Sequence, residues 1–170
     1  MFHAFDTAGG PGMRPRADWL ALLARAPLTL LDHGLKEFRA CRQTEWLRRP
    51  ETGLYMVQGR VGGTGGRFNL GEVTVTRCAL RSVGGQVPDA PVGVAYVLGR
   101  DHRRAELAAL ADALLQEPGL YPLLERTVLA PVAEVLSAQR AAHSAEIQST
   151  RVDFFTLARE AGNPDDGEDA

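Results

Sequence analysis

Trp19, Leu22, Leu23 and Ala26 fall at helical spacing, with Asp18 placed to cap, and predict a first helix. Pro27 interrupts the pattern, and Leu28, Leu31, Leu35 and Phe38 predict a second short helix. From Arg39 the period changes to two. Ala40 to Arg48 reads as a strand, Pro50-Glu51-Thr52-Gly53 as a turn, and Leu54 to Val61 as a second strand. Gly62-Gly63-Thr64-Gly65-Gly66 is the next turn, followed by a long strand from Phe68 to Val83. Within it the large apolar positions switch parity, from Phe68 and Leu70 to Val73 and Val75, which predicts a bulge at Gly71. Gly84 to Pro91 is a turn, and Val92, Val94, Tyr96 and Leu98 alternate as a fourth strand. After Gly99 the helical period returns. Asp101 caps a helix from His102 to Glu117, whose apolar side is Leu107, Leu110, Ala111, Leu114 and Leu115. Pro118-Gly119 ends it, another helix begins near Leu120, and one more runs from about Pro131 to Glu160.

Strands joined by short turns pair antiparallel, because a parallel return needs a crossover of a dozen residues or more. The predicted fold is therefore α+β: an antiparallel four-stranded meander flanked by N-terminal helices and C-terminal helices. Residues 1–15, Gly- and Pro-rich, are expected to be flexible. Residues 16–160 form a single domain with a C-terminal helical arm, and 161–170 a disordered acidic tail.

The chain of 170 residues is 45% hydrophobic and 24% charged, enough apolar content for one sizeable core. Its net charge of -2 gives no general attraction to nucleic acid or to an anionic membrane. The start has no basic stretch followed by an apolar run, and no segment is long and apolar enough to span a bilayer, so a cytoplasmic protein is expected. Cys41 and Cys78 are too few and too far apart for a disulfide framework or a zinc site, and the four histidines include no pair at metal-ligand spacing. No metal is predicted.

Two stretches carry candidate anion chemistry. In the first, Arg60, Gly62, Gly63, Thr64, Gly65 and Arg67 combine backbone donors that can approach an anion closely with flanking positive charge. It is not a P-loop, for it joins two strands and lacks the Gly-Lys-Ser/Thr ending. Residue types alone favour the plainer reading, a hairpin whose glycines supply positive φ. In the second, Arg100 and Arg103 flank Asp101 and His102 where a strand hands over to a helix, a place that suits an anion as readily as a capping carboxylate. Arg77 is a further candidate on the long strand. A Cys78–His102 nucleophilic pair is conceivable by residue type but has no sequence proximity to support it. Finally, Ser137 to Gln148 is a polar stretch whose only large apolar residue is Ile147, and then Val152, Phe154, Phe155 and Leu157 arrive together. Such a cluster folds back on its own core or docks on a partner, and the polar run before it favours a partner-docking anchor.

Taken in series, Glu51-Thr52-Gly53-Leu54, Gly62-Gly63-Thr64-Gly65 with Arg67-Phe68, Gly71-Glu72 with Thr76-Arg77, Gly99-Arg100-Asp101 with Ala105-Glu106, and Arg151-Val152-Asp153-Phe154-Phe155 resemble the G subunit family of the bacterial carbon–phosphorus lyase system. The resemblance covers roughly Arg16 to Arg159. It implies an accessory subunit that assembles with the H, I and J subunits and transiently with K and L. With H and L, it would support the I subunit in displacing adenine from ATP by a phosphonate, giving a ribose 1-phosphonate 5-triphosphate. It implies no cofactor of the chain's own, ATP being a substrate of the complex, and it assigns no catalytic residue here. At His102 and Arg104 the chain departs from the Lys and His frequent in the family. The alternative from another class is a free-standing anion-binding domain or small enzyme.

Overall fold

The computed structural model describes residues 12–83 and 90–150. Three short helices come first, α1 (Arg16–Leu23), α2 (Leu28–Gly34) and α3 (Lys36–Cys41). Pro15 and Pro27 immediately precede the first two, where a missing N–H is harmless. Asp18 lies in the first turn of α1 rather than capping it. Three strands follow, β1 (Gln43–Arg60), β2 (Arg67–Val83) and β3 (Val92–Leu98), then α4 (His102–Leu115), α5 (Tyr121–Leu124), a π-helical turn (Glu125–Leu129) and α6 (Ala130–Ser149).

The sheet is an antiparallel meander in the order β1-β2-β3. It has three strands among the described residues, not the four predicted. The proposed turn at Pro50-Glu51-Thr52-Gly53 is strand, and Ala40 and Cys41 close α3 instead of opening a strand. Pro50 falls in an irregular stretch between the pairs Arg48↔Ala79 and Glu51↔Arg77. Because β1 pairs only with β2, it has a free edge on which a residue without an N–H is tolerated. The turn residues are thereby absorbed into one 18-residue strand held by an almost equally long partner. The bulge at Gly71 is present: Val57 pairs Gly71, Gln58 pairs Asn69, and Leu70 is the extra residue.

One face of the sheet carries the core. Thr76, Cys78, Leu80 and Ser82 of β2 and Gly93, Ala95 and Val97 of β3 are buried against α4, of which every residue from Leu107 to Leu115 is buried. The close approach depends on Gly93: a Cβ there would lie 1.9 Å from the Ala109 carbonyl oxygen and 2.7 Å from the Ala113 nitrogen. Small residues at Ala109 and Ala113 complete that contact. Trp19, Leu23, Leu31 and Leu35 from the N-terminal helices, with Leu124, Val128 and Val132, cover the rest of α4.

Two buried ion pairs lock the layers. The Asp112 carboxylate, fully buried in α4, accepts from Arg16 Nε at 3.1 Å and Nη2 at 2.7 Å, from Trp19 Nε1 at 2.8 Å and from the Val94 N–H at 2.9 Å. Arg42 donates twice to Glu117, at 3.0 and 3.1 Å, and ties the start of β1 to the residues just past α4. Beyond the body, β1 and β2 continue as a two-stranded arm, and α6 from Ser137 to Ser149 is wholly exposed.

Candidate functional site

The glycine turn forms the tip of the arm. Val61–Gly63 is one 3₁₀ turn, closed by the Thr64 N–H to the Val61 carbonyl, which also accepts from the Gly65 N–H at 2.9 Å. Gly62 and Gly63 have φ of 58° and 79°, a region that favours glycine, so the hairpin reading of these residues holds. Arg60 and Arg67 are cross-strand partners at the last rung. Arg60 donates to the Gly65 carbonyl at 3.1 Å, while Arg67 has no side-chain partner among the described residues. With Gln58, Gly59 and Gly63 these two arginines line an open hollow of about 420 Å³. Arg60, Gly62, Gly63, Thr64, Gly65 and Arg67 are thus brought together at one exposed tip.

The second stretch lies at the base of the arm. Asp101 caps α4 by accepting from the Arg104 N–H at 2.9 Å, as predicted. Arg104 reaches back to the Leu98 carbonyl at 2.6 Å. Arg103 donates to Glu106 at 2.9 Å and lies 3.4 Å from Asp32. Arg100 is exposed and has no ion pair or side-chain hydrogen bond among the described residues. His102 Nε2 is 2.9 Å from Thr52 Oγ1, which is 3.0 Å from Thr76 Oγ1, which in turn is 2.7 Å from the Gly99 carbonyl.

That chain has one consistent direction. A carbonyl only accepts, so the Thr76 hydroxyl donates to Gly99 and its oxygen accepts from Thr52. The Thr52 oxygen therefore accepts from His102 Nε2–H. The ring thus carries a proton on Nε2. Thr52 and Thr76 stand in the sequence only as members of the family-like segments; they meet His102 because β1, β2 and the start of α4 converge.

The two clusters do not form one site. Arg67 is eight residues from Val75, the partner of Leu98, which puts the tip about 27 Å from the helix start. Arg77 belongs to neither. It donates to Glu51 at 2.7 Å, and Glu51 also accepts from Arg48 at 2.6 Å. Hydrogen bonds from Arg48 and then Arg77 hold the Glu51 carboxyl below the usual range. The Cys78–His102 pair is ruled out. Cys78 is buried and donates to the Ala105 carbonyl at 3.1 Å, and burial, with a smaller contribution from Glu106, pushes its thiol up to about 12. Iodoacetamide at pH 8 should therefore modify exposed Cys41 and spare Cys78 until the chain is unfolded; equal labelling of the native protein, read by mass spectrometry, would contradict this placement. The cluster Val152, Phe154, Phe155 and Leu157 lies outside the described residues, as do residues 1–11, 84–89 and the tail. No helix among the described residues is long and apolar enough to cross a membrane, and they contain no group of three or more potential metal ligands.

Comparison with known proteins adds two findings. The sequence profile of the family described as phosphonate metabolism protein PhnG matches residues 14–160. The chain is also 39% identical over 159 residues to the alpha-D-ribose 1-methylphosphonate 5-triphosphate synthase subunit PhnG of Rhizobium meliloti, an alignment that spans 94% of this chain and 98% of the relative.

Proposed function

This chain belongs to the phosphonate metabolism PhnG family, and on that premise we propose that it is the accessory G subunit of a carbon–phosphorus lyase core complex. The observation that carries the reading is the end-to-end match to a relative named as a subunit of the ribose 1-methylphosphonate 5-triphosphate synthase. In this reading the chain works in the cytoplasm with the H, I and J subunits, and transiently with K and L. Together with H, I and L it converts ATP and a phosphonate into adenine and a ribose 1-phosphonate 5-triphosphate. It brings no cofactor of its own.

Its own residues serve two roles. At the start of α4, Arg100 offers an exposed cation that no described carboxylate holds, suited to a polyphosphate. At the arm tip, Arg60 and Arg67 flank backbone donors of Gly62, Gly63, Thr64 and Gly65, a second place where anionic oxygens can be met. Arg77 and Arg103 already hold carboxylates, so they rank behind these. Val152, Phe154, Phe155 and Leu157 anchor the chain to a partner subunit.

The test is adenine release from ATP and a phosphonate by H, I and L subunits from the same source, with and without this chain. Release should require the chain, and the chain alone should give none; robust turnover by the purified chain would favour a free-standing enzyme. Arg100→Ala should lower release by roughly tenfold or more at unchanged assembly, the worth of one lost charge-assisted contact. If every arginine variant loses activity only in step with assembly, the arginines are interface residues. Truncation after Ser149 should leave a folded chain that no longer co-purifies, whereas unfolding would return the cluster to the chain's own core.

A further inference from the structure

The sheet has a second face that nothing in this chain covers among the described residues. Thr52, Thr76 and Val97 form one row across the three strands, and Thr76 and Val97 are buried on the α4 side. The neighbouring rows therefore face away: Glu51–Arg77–Tyr96, Gly53–Val75–Leu98, then Tyr55–Val73. Beyond them the Gly71 bulge restores Phe68, opposite Gly59, to the same side as Val73. Without that extra residue Phe68 would turn to the other face. The bulge thus keeps a continuous apolar strip on the outward face, from the base of the arm nearly to its tip.

This strip is exposed. Tyr55 is 64% accessible, Leu98 64% and Tyr96 58%. An antiparallel sheet packed on one side normally presents polar residues on the other, and a two-stranded ribbon is marginal in water by itself. Here the outward rows from Gly53 to Phe68 hold no charge at all. They include a hollow of about 400 Å³ over Gly53, walled by Tyr55, Val75 and Tyr96 and closed at one end by the Glu51–Arg77 pair. Gly53 has no atom within 4 Å of where a Cβ would stand, so a large side chain from outside can seat there.

Charge selects the occupant. The outward rows carry Arg48, Arg77 and Arg81 against Glu45 and Glu51, a net +1 in a chain whose total is -2. Two copies meeting sheet to sheet would bring like charge together. α6 packs on the π-helical turn and α1, and the chain's own C-terminal cluster beyond it lies outside the described residues. We infer that the outward face of the sheet and arm is the seat of another subunit of the synthase, one that presents an uncharged apolar strip with a large residue at its centre and carboxylates along its border.

This inference rests on the subunit reading above, and the experiment separates the two. Adjacent residues on opposite faces of β1 give a matched pair, Tyr55→Glu on the outward face and Leu54→Glu on the other, both highly exposed and so compatible with folding, which circular dichroism checks. Each tagged variant is co-expressed with the H, I and J subunits and the recovered partners are quantified, with tetranitromethane labelling of the wild-type chain alone and in the complex. Tyr55→Glu should reduce recovery at least tenfold and Leu54→Glu less than twofold, and Tyr55 and Tyr96 should be nitrated in the free chain and protected in the complex. Equal recovery of both variants, or equal loss, overturns the inference. So does a free chain that light scattering shows to be a dimer dissolved by Tyr55→Glu, which makes the occupant a second copy. Protection of Tyr55 in the free monomer that truncation after Thr150 abolishes makes the occupant the chain's own end, and overturns the inference equally. Failure of the wild-type chain itself to recover any partner would instead refute the subunit reading.

Discussion

Asp112→Ala should destabilise the chain by about 3–5 kcal/mol, enough to unfold much of it at ordinary temperature. The carboxylate is fully buried, and four donors converge on it. Its removal takes the carboxylate away from a largely buried guanidinium, and it also strands the Trp19 indole N–H and the Val94 amide. Those donors come from α1 and from β3, so the loss loosens the N-terminal helix and the sheet edge together. Urea denaturation followed by tryptophan fluorescence reads the change. Arg16→Ala should cost a similar amount, because it strands the carboxylate instead. The double variant should cost clearly less than the sum, since neither charge is then left alone. Strict additivity would mean that the pair contributes nothing beyond its separate side chains.

Gly93→Ala is the second large effect, expected at ~3 kcal/mol or more from the addition of one methyl group. Most core methyls can be absorbed by a side-chain rotation. Here the obstacles are backbone atoms, the Ala109 carbonyl oxygen at 1.9 Å and the Ala113 nitrogen at 2.7 Å. The only relief is for α4 to withdraw from the sheet, and α4 is the element on which every other layer packs. A thermal melt should show a much lower midpoint or no cooperative transition. Gly53→Ala is the control within the same sheet, because a Cβ there meets nothing, and it should shift the midpoint little. Equal effects at the two glycines would mean that α4 does not sit as close to β3 as described.

Which elements exist could be read in advance wherever one period persisted. The alternation through Val92, Val94, Tyr96 and Leu98 gave β3, and the cap at Asp101 gave the start of α4, because both signals are local. The parity switch at Gly71 was visible for the same reason. The fourth predicted strand rests on the turn preferences of Pro50 and Gly53. Those preferences hold for a chain with no partner, and a 17-residue β2 alongside outweighed them. Asp112 gives no signal in the sequence, since a lone acid in an alanine-rich helix looks solvent-facing and its hydrogen-bond donors lie 18 to 96 positions away.

The candidate site divides along the same line. The sequence by itself determined the glycine turn at the arm tip, the arginines beside it, the cap at Asp101 and the family, since each depends on residue type at short spacing. The tertiary structure alone decided that Arg77 is held by Glu51, that tip and helix start lie apart, that His102 meets Thr52 and Thr76, and that the described residues leave one sheet face uncovered. Those outcomes depend on register and on which side of a strand faces α4. One bulge or one glycine resets both, and a linear pattern carries no record of what lies across the sheet.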